Sequence, residues 1–508
     1  MRRSTLVPCG IAAAWLSALG CAAASPSTEI RPASQRQALR AAIDSMVESP
    51  RFRNAHWGVL IVDPLRGDTI YSRNAGKLFL PASNMKIVTG AVALAELGSD
   101  FRFRTMVAAR GTVRGGVLAG DLIVHGRGDP SFSDSMRTSA VVPMREMADS
   151  LAARGIRRLT GRVLRGSDVF PDASYGFGWS WDELGEPYSA GVDELILNEG
   201  FGRITVRAGP VPGAPPSVVT MPVAGYPPVR ILAVTSVRRD TTLLATTSLL
   251  PAAPAARLEI AYDSASGGLL VTGSLAVGDS VTRTVAYRDQ PAALLAALRQ
   301  AMGTRGIEVG GAVVTPAPRE DTLFAYQSPP LRDILRVFEK PSQNQVGEIL
   351  LKTLGLERTG VGTADSGRRV VESWLAAWGA EPDGFVVRDG SGLSRYNYLS
   401  PETIVRTLDA MRRHPDFRIF YDALAVAGVD GTIRSRMRGT RAEGNVHAKT
   451  GTLANARSLS GYVTTADGRM LLFSVLCNNW TVPVREINAV QDAIAVALAS
   501  LDVSGAGR

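Results

Sequence analysis

Three short stretches of the chain carry residue types that can act together on one substrate. The first is Ser83-Asn84-Met85-Lys86. A serine hydroxyl is a weak nucleophile until a base lies within hydrogen-bond reach. On a helix, residues three apart share a face, so this spacing sets the Lys86 amine beside the Ser83 hydroxyl. A serine at the helix start also meets the positive end of the helix dipole, which favours negative charge developing nearby. The second stretch is Ser342-Gln343-Asn344. On a loop leading into a helix, a serine and an asparagine two apart can face one cleft, the serine relaying a proton and the asparagine holding a substrate amide. The third is His447-Ala448-Lys449-Thr450-Gly451-Thr452-Leu453, which reads as an extended edge. Lys449 supplies positive potential for a carboxylate, Thr450 and Thr452 can hydrogen-bond it, and Gly451 lets a substrate backbone lie close. The backbone N–H groups of Ser83 and Thr452 can form an oxyanion hole. Taken alone, each stretch also has a plainer reading: serine N-caps at 83 and 342, and a solvated lysine at 449.

The scarcity of lysine sharpens the pattern. Of 56 basic residues only Lys77, Lys86, Lys340, Lys352 and Lys449 are lysine. Arginine serves wherever a plain positive charge is needed, whereas a lysine can be tuned to act as a base. Two of the five fall in the first and third stretches. The formal net charge of +9 is scattered, with no block of five like charges, so no nucleic-acid tail is expected. An excess of positive charge still suits anionic surroundings such as cell-wall polymers or membrane surfaces. Cys9 and Cys21 lie near the N-terminus, which leaves Cys477 alone in the body and allows neither a disulfide framework nor a zinc pattern. His56, His125, His414 and His447 have no second histidine at ligand spacing, so neither metal nor cofactor is expected.

The N-terminus reads as an export signal. Met1-Arg2-Arg3 is a short basic start, an apolar run follows over 6–19, and the small residues Ala22-Ala23-Ala24 close it, which predicts a signal peptide over 1–24. The run is too short for a standard membrane span. Two processing routes stay open. Ala22-Ala23-Ala24 suits an ordinary signal peptidase, and Leu19-Gly20-Cys21 resembles a lipobox in which Cys21 carries lipid. Either way the mature protein is expected outside the cytoplasm, in the periplasm or cell envelope.

The elements that must hold these residues follow from hydrophobic periodicity. Helices are expected over 35–48, 85–97, 330–339, 344–354, 363–378 and 484–501, and strands over 57–62, 69–72, 458–465 and 470–476. Between about 101 and 324 the texture changes to short Val- and Thr-rich segments broken by Gly and Pro, with one helix near 143–154. With 508 residues and 45% hydrophobic content, several domains with real cores are expected. The two ends join into one α/β unit, a sheet flanked by helices over 30–100 and 325–508, and 101–324 is inserted into it. The insertion is expected to hold two nested subdomains, 101–129 with 199–324, and 130–198.

Together the three stretches spell Ser-x-x-Lys, Ser-x-Asn and Lys-Thr-Gly in that order, and the chain resembles the penicillin-recognising serine enzymes. Ser342 follows Ser83 by 259 positions, and Lys449 follows Ser342 by 107. A long first gap of this kind is similar to the D-alanyl-D-alanine carboxypeptidase/endopeptidase branch, the low-molecular-mass class C penicillin-binding proteins of peptidase family S13. Gly128-Asp129-Pro130, Trp179-Ser180-Trp181-Asp182, Asp389-Gly390-Ser391-Gly392-Leu393-Ser394-Arg395 and Leu459-Ser460-Gly461-Tyr462 resemble the same branch. The resemblance implies an α/β (α+β) penicillin-binding, β-lactamase-like domain, an antiparallel sheet flanked by helices.

It also implies roles. Ser83 is the acylated nucleophile, Lys86 its general base, Ser342 and Asn344 serve proton transfer and substrate positioning, and Lys449 binds the terminal carboxylate. Asp182, Tyr188 and Arg395 fall where the family reads the diaminopimelate side chain of the stem peptide. Gln343 departs from the commoner Asp of this branch. The expected substrates are peptidoglycan stem peptides and cross-links, with β-lactams as acylating inhibitors; the alternative is a serine β-lactamase. Glu194-Leu195-Ile196-Leu197-Asn198 spells the deacylating glutamate motif of class A β-lactamases, but it precedes Ser342 instead of following it. Its apolar run reads more simply as a buried strand or turn.

Overall fold

The computed structural model describes residues 32–237, 257–263, 266–312 and 319–502. The expected signal segment, with Cys9 and Cys21, lies outside the described residues. Strands β1 (His56–Asp63) and β2 (Asp68–Arg73) come from the N-terminal end. The C-terminal end supplies β3 (Ala425–Val426), β4 (His447–Leu453), β5 (Ala456–Thr464) and β6 (Met470–Asn478). They form one six-stranded antiparallel sheet in the order β3-β4-β5-β6-β1-β2. Two chain ends far apart in sequence therefore share a sheet through the β1–β6 pairing.

Successive strand residues point to opposite faces, and here both faces are buried. Leu60, Tyr462, Leu472 and Leu476 face one core, whereas Val59, Ile61, Leu459, Phe473 and Val475 face the other. The second core is closed by helices α1 (Pro32–Val47) and α8 (Val484–Ser500). The first is closed by α2 (Met85–Leu97), α3 (Leu331–Glu339), α4 (Asn344–Thr359), α5 (Ala364–Ala377), α6 (Pro401–Arg413) and α7 (Phe417–Ala423). Helices α6 and α7 were not expected from the sequence. The start of α6 carries a local signal: Ser400 accepts a hydrogen bond from the Thr403 backbone N–H at 3.0 Å, and Pro401 opens the helix.

The chain between β2 and α3 builds a second sheet, ordered Glu308–Val309, Arg158–Leu159, Val117–His125, Arg104–Arg114, Asp321–Gln327. Two helices cover it, Val142–Ala153 and Gln290–Thr304, where one was expected. The second is Ala- and Leu-rich, and the Asp289 carboxylate caps it by accepting from the Ala292 N–H at 2.9 Å. Strong local helix propensity there overrides the β-rich surroundings.

The inner division also differs from expectation. Val163–Arg165 pairs in parallel with Val117–His125, and Phe132, Met144 and Leu151 share a core with Val107, Leu122 and Leu294. Residues 130–165 thus belong with 104–125. The nested unit is instead built over 201–286, where Phe201–Arg207 lies between Ser217–Met221 and Ser280–Ala286 and Ile204, Val206, Leu269 and Val271 form a small separate core.

Candidate active site

Ser83 sits on a 3-10 turn, Ala82–Asn84, that runs directly into α2. Three side chains pin this turn to the sheet. Asn84 Nδ2 donates to the Lys449 carbonyl (2.8 Å), Ser458 Oγ donates to the Pro81 carbonyl (2.7 Å), and Asn478 Oδ1 accepts from the Leu80 N–H (2.9 Å). Gly451 is the fourth contact. A Cβ there would stand 2.0 Å from Ser458 Oγ and 2.6 Å from the Pro81 oxygen. Its missing side chain admits the serine turn. Ala82 (φ 48°) and Ser342 (φ 68°) both adopt left-handed backbone, a strained state that concentrates at functional sites.

In the first turn of α2, Lys86 is fully buried, and its ammonium has three partners. Nζ lies 3.0 Å from Ser83 Oγ, 2.6 Å from Asn344 Oδ1 and 2.7 Å from the Ser391 carbonyl. Burial pushes this amine down to about 7; the Lys449 charge adds to the fall, and Glu339, Asp389 and Glu348 oppose it. A lysine so lowered spends much of its time neutral near pH 7, able to take a proton from Ser83. Asn344 is fixed from its other side, because Nδ2 donates to the Tyr188 carbonyl at 2.8 Å.

The loop that supplies the Ser391 carbonyl is held by two buried carboxylates. Asp389 accepts from the backbone N–H of Gly392 (2.8 Å) and Ser394 (2.6 Å), from Trp179 Nε1 (2.9 Å) and from Asn397 Nδ2 (2.5 Å). Glu348 accepts from the Ser391 N–H at 2.9 Å and the Gly390 N–H at 3.3 Å.

Lys449 on β4 is also fully buried, donating to the Thr450 carbonyl at 3.1 Å. Burial lowers its pKa while Glu339 holds it up. Thr450 Oγ1 donates to Thr432 Oγ1 at 2.7 Å. The short β3 pairs with His447 and Ala448, and among the described residues β4 meets no strand on that side from Lys449 to Leu453.

A cleft of about 420 Å³ opens over these elements, lined by Ser83, Ser342, Asn344, Thr452, Tyr188 and Glu183, among others. Lys86 and Lys449 lie beneath its wall. Tyr188 is 44% exposed. Arg395 donates to the Ala454 carbonyl at 3.2 Å and pairs with Glu183 at 3.5 Å. Asp182 lies exposed and outside the lining. Residues 181–183 form one 3-10 turn, where neighbours point about 120° apart, so Glu183 takes the position expected of Asp182. Glu183 and Arg457 also line the cleft and were not singled out from sequence, and Leu393 and Leu453, quoted there only within motifs, line it too.

Glu194 is elsewhere. Its side chain is buried and accepts from Arg165 Nη2 at 2.6 Å, while Leu195 and Leu197 enter the insertion core and Ile196 the catalytic one. Among the described residues, Asp168, Asp193 and Glu194 form one close acidic group, but the Arg165 guanidinium already bridges all three. No helix of the described residues is long and apolar enough to cross a membrane.

Three comparisons bear on this arrangement. A family model described as the D-Ala-D-Ala carboxypeptidase 3 (S13) family matches residues 39–501. The D-alanyl-D-alanine carboxypeptidase of Actinomadura sp. (strain R39) is 36% identical, over 94% of this chain and 87% of that protein. The crystal structure of penicillin binding protein 4 from Haemophilus influenzae superposes with a TM-score of 0.74 at 22% identity, over 90% of this chain and 99% of that one. The same protein complexed with a novel β-lactam superposes with a TM-score of 0.70, with the same identity and coverage.

Proposed function

The chain belongs to the D-Ala-D-Ala carboxypeptidase 3 (S13) family, and from that premise we propose a chemical cycle for it. It is a serine-type D-Ala-D-Ala carboxypeptidase acting on peptidoglycan stem peptides, with cross-links as a second substrate. The observation that carries the cycle is the Lys86 ammonium, buried and 3.0 Å from Ser83 Oγ.

In the first half, neutral Lys86 takes the Ser83 proton as Oγ bonds to the carbonyl carbon of the penultimate D-alanine. The oxyanion is held by the backbone N–H groups of Ser83 and Thr452. The C–N bond then breaks, and Lys86 returns its proton through Ser342 to the departing D-alanine amine. In the second half, water adds to the ester, Ser83 recovers its proton, and the shortened peptide leaves as a carboxylate. In the endopeptidase reaction the leaving amine is the side chain of a cross-linking residue. A β-lactam enters the first half, but its leaving amine stays tethered in the opened ring.

Lys449, Thr450 and Thr452 provide the positive, hydrogen-bonding end for the terminal carboxylate. Arg395, with Tyr188 and Glu183, reads the side chain of the diamino acid; Asp182 flanks that end from outside the cleft. The reading places the enzyme in the cell envelope, exported by its basic and apolar N-terminus, with residues 30–100 and 325–508 as the catalytic unit.

The direct test is release of D-alanine from a peptide ending in D-Ala-D-Ala. Release by the parent, lost in Ser83→Ala, is the expected result. Equal release by both proteins sinks the assignment of Ser83.

A further inference from the structure

Helix α3 buries Leu331, Ile334, Leu335 and Phe338 as an apolar stripe. The same spacing of i, i+3, i+4, i+7 and i+8 puts Glu339 on that stripe. Glu339 is fully buried, and neither carboxylate oxygen has a hydrogen-bond donor among the described residues. An unpartnered buried carboxylate is costly, so it calls for a compensating charge. Space is made for it as well. Gly90 of α2 lies against it, and a Cβ at that position would stand 2.6 Å from Glu339 Oε1. Burial raises the pKa of Glu339 to about 7, and the charges of Lys449 first and Lys86 second pull it down and favour its anion. In return, Glu339 supports the charge of Lys449, and it is the strongest of three carboxylates supporting that of Lys86, ahead of Asp389 and Glu348.

We propose that Glu339 is a positioning residue for acylation, a buried counter-charge shared by the two active-site lysines that sets how they divide their protons. The idea rests on the roles given above to Ser83 and Lys86. One carboxylate balances one ammonium. Two buried amines beside a single anion therefore hold one proton more readily than two. Lys86, the amine lowered to about 7, gives its proton up and becomes the base. Lys449 keeps its own and presents positive potential to the substrate carboxylate. The groups that bear on this balance are Lys86 from α2, Lys449 from β4, Glu348 from α4 and Asp389 from the loop between α5 and α6.

The sign of the effect is fixed. Removing the anion lowers the pKa of both amines. The acid limb of the acylation profile needs neutral Lys86, and the alkaline limb needs charged Lys449, so both limbs move to lower pH. A purely structural role would lower the rate at every pH and leave the limbs in place.

The experiment is the pH profile of benzylpenicillin acylation, followed by intact mass, for the parent, Glu339→Asp and Glu339→Gln, with melting curves alongside. The expected result is a shift of both limbs by about one pH unit in Glu339→Gln, and a smaller shift the same way in Glu339→Asp, where the charge is drawn back. The KM for a D-Ala-D-Ala peptide should rise more at pH 8 than at pH 6. Should Glu339→Gln not fold, Glu339→Asp alone decides. Folded variants with unmoved limbs overturn the proposal and leave Ser83 and Lys86 untouched. A parent that forms no adduct on Ser83 overturns the underlying reading instead.

Discussion

In the proposed cycle, Lys86 is the residue on which the chemistry turns. Its three partners fix the amine in space, and burial lowers it to about 7. Below that pH the amine is protonated and no base is present; above it the base is free. Acylation by benzylpenicillin should therefore rise with pH through about 7, as stopped-time mass spectrometry can follow. Lys86→Arg should lose it by about 100-fold or more at every pH, because a guanidinium does not unload its proton. At the substrate end, Arg395→Ala should raise the KM for stem peptides with a charged diamino acid by about tenfold, the worth of one charged hydrogen bond, and leave benzylpenicillin acylation little changed. Steady-state assays with both substrates check the split. The candidate residues were legible as a pattern because lysine is rare in this chain, so Lys86 and Lys449 stand out. Glu183 was not, since only the local turn geometry decides whether residue 182 or 183 faces the cleft.

At the scale of elements, the serine turn, β4 and the 389–395 loop are packed so closely that glycine is required at the contacts. A Cβ on Gly392 (φ 84°) would stand 1.9 Å from the Ala82 oxygen, and one on Gly451 2.0 Å from Ser458 Oγ. Gly451→Ala should cost about 1–3 kcal/mol of stability, read by denaturant titration, and slow acylation as well by moving Ser83. The packing need for Gly451 was not legible, because one of the two groups that need its bareness, the Pro81 carbonyl, lies some 370 positions earlier in the chain. Helix α2 was placed at its observed ends, because its apolar run begins right after the Ser-x-x-Lys turn. Helix α6 was missed although its buried face, with Ile404, Leu408 and Met411, keeps helical spacing, because polar residues and arginines separate those positions along the sequence. Glu339 was legible in principle as a carboxylate on an apolar stripe.

The whole molecule ties its insertion to its chemistry. Trp179 donates to Asp389, the Tyr188 carbonyl accepts from Asn344, and Gln345 Nε2 donates to the Pro187 and Ala190 carbonyls at 3.2 and 3.1 Å. Residues 179–199 thus brace the second motif and the 389–395 loop, whereas none of the described residues of the unit over 201–286 lines the cleft. Phe201 pairs with Ala286, so the ends of that unit are adjacent. Excising 202–285 across a short Gly-Ser linker should keep benzylpenicillin acylation within about threefold. Stability should fall, because Val223 packs into the larger insertion core and is lost with it. Removing all of 101–324 should abolish acylation. Intact mass and melting curves on the two deletions separate these outcomes. The change of texture from about 101 to 324 is what led the sequence reading to an insertion. It did not show the inner seam, because seams follow strand pairing between distant segments and local composition carries no record of that.

The central claim is that Ser83 forms the covalent intermediate. The most direct measurement is the intact mass of the parent and of Ser83→Ala after incubation with benzylpenicillin. The account predicts a single persistent adduct on the parent, located on the peptide that carries Ser83, and none on the variant. An adduct of equal yield on both proteins, or none on a folded parent with the penicillin left intact, would contradict it.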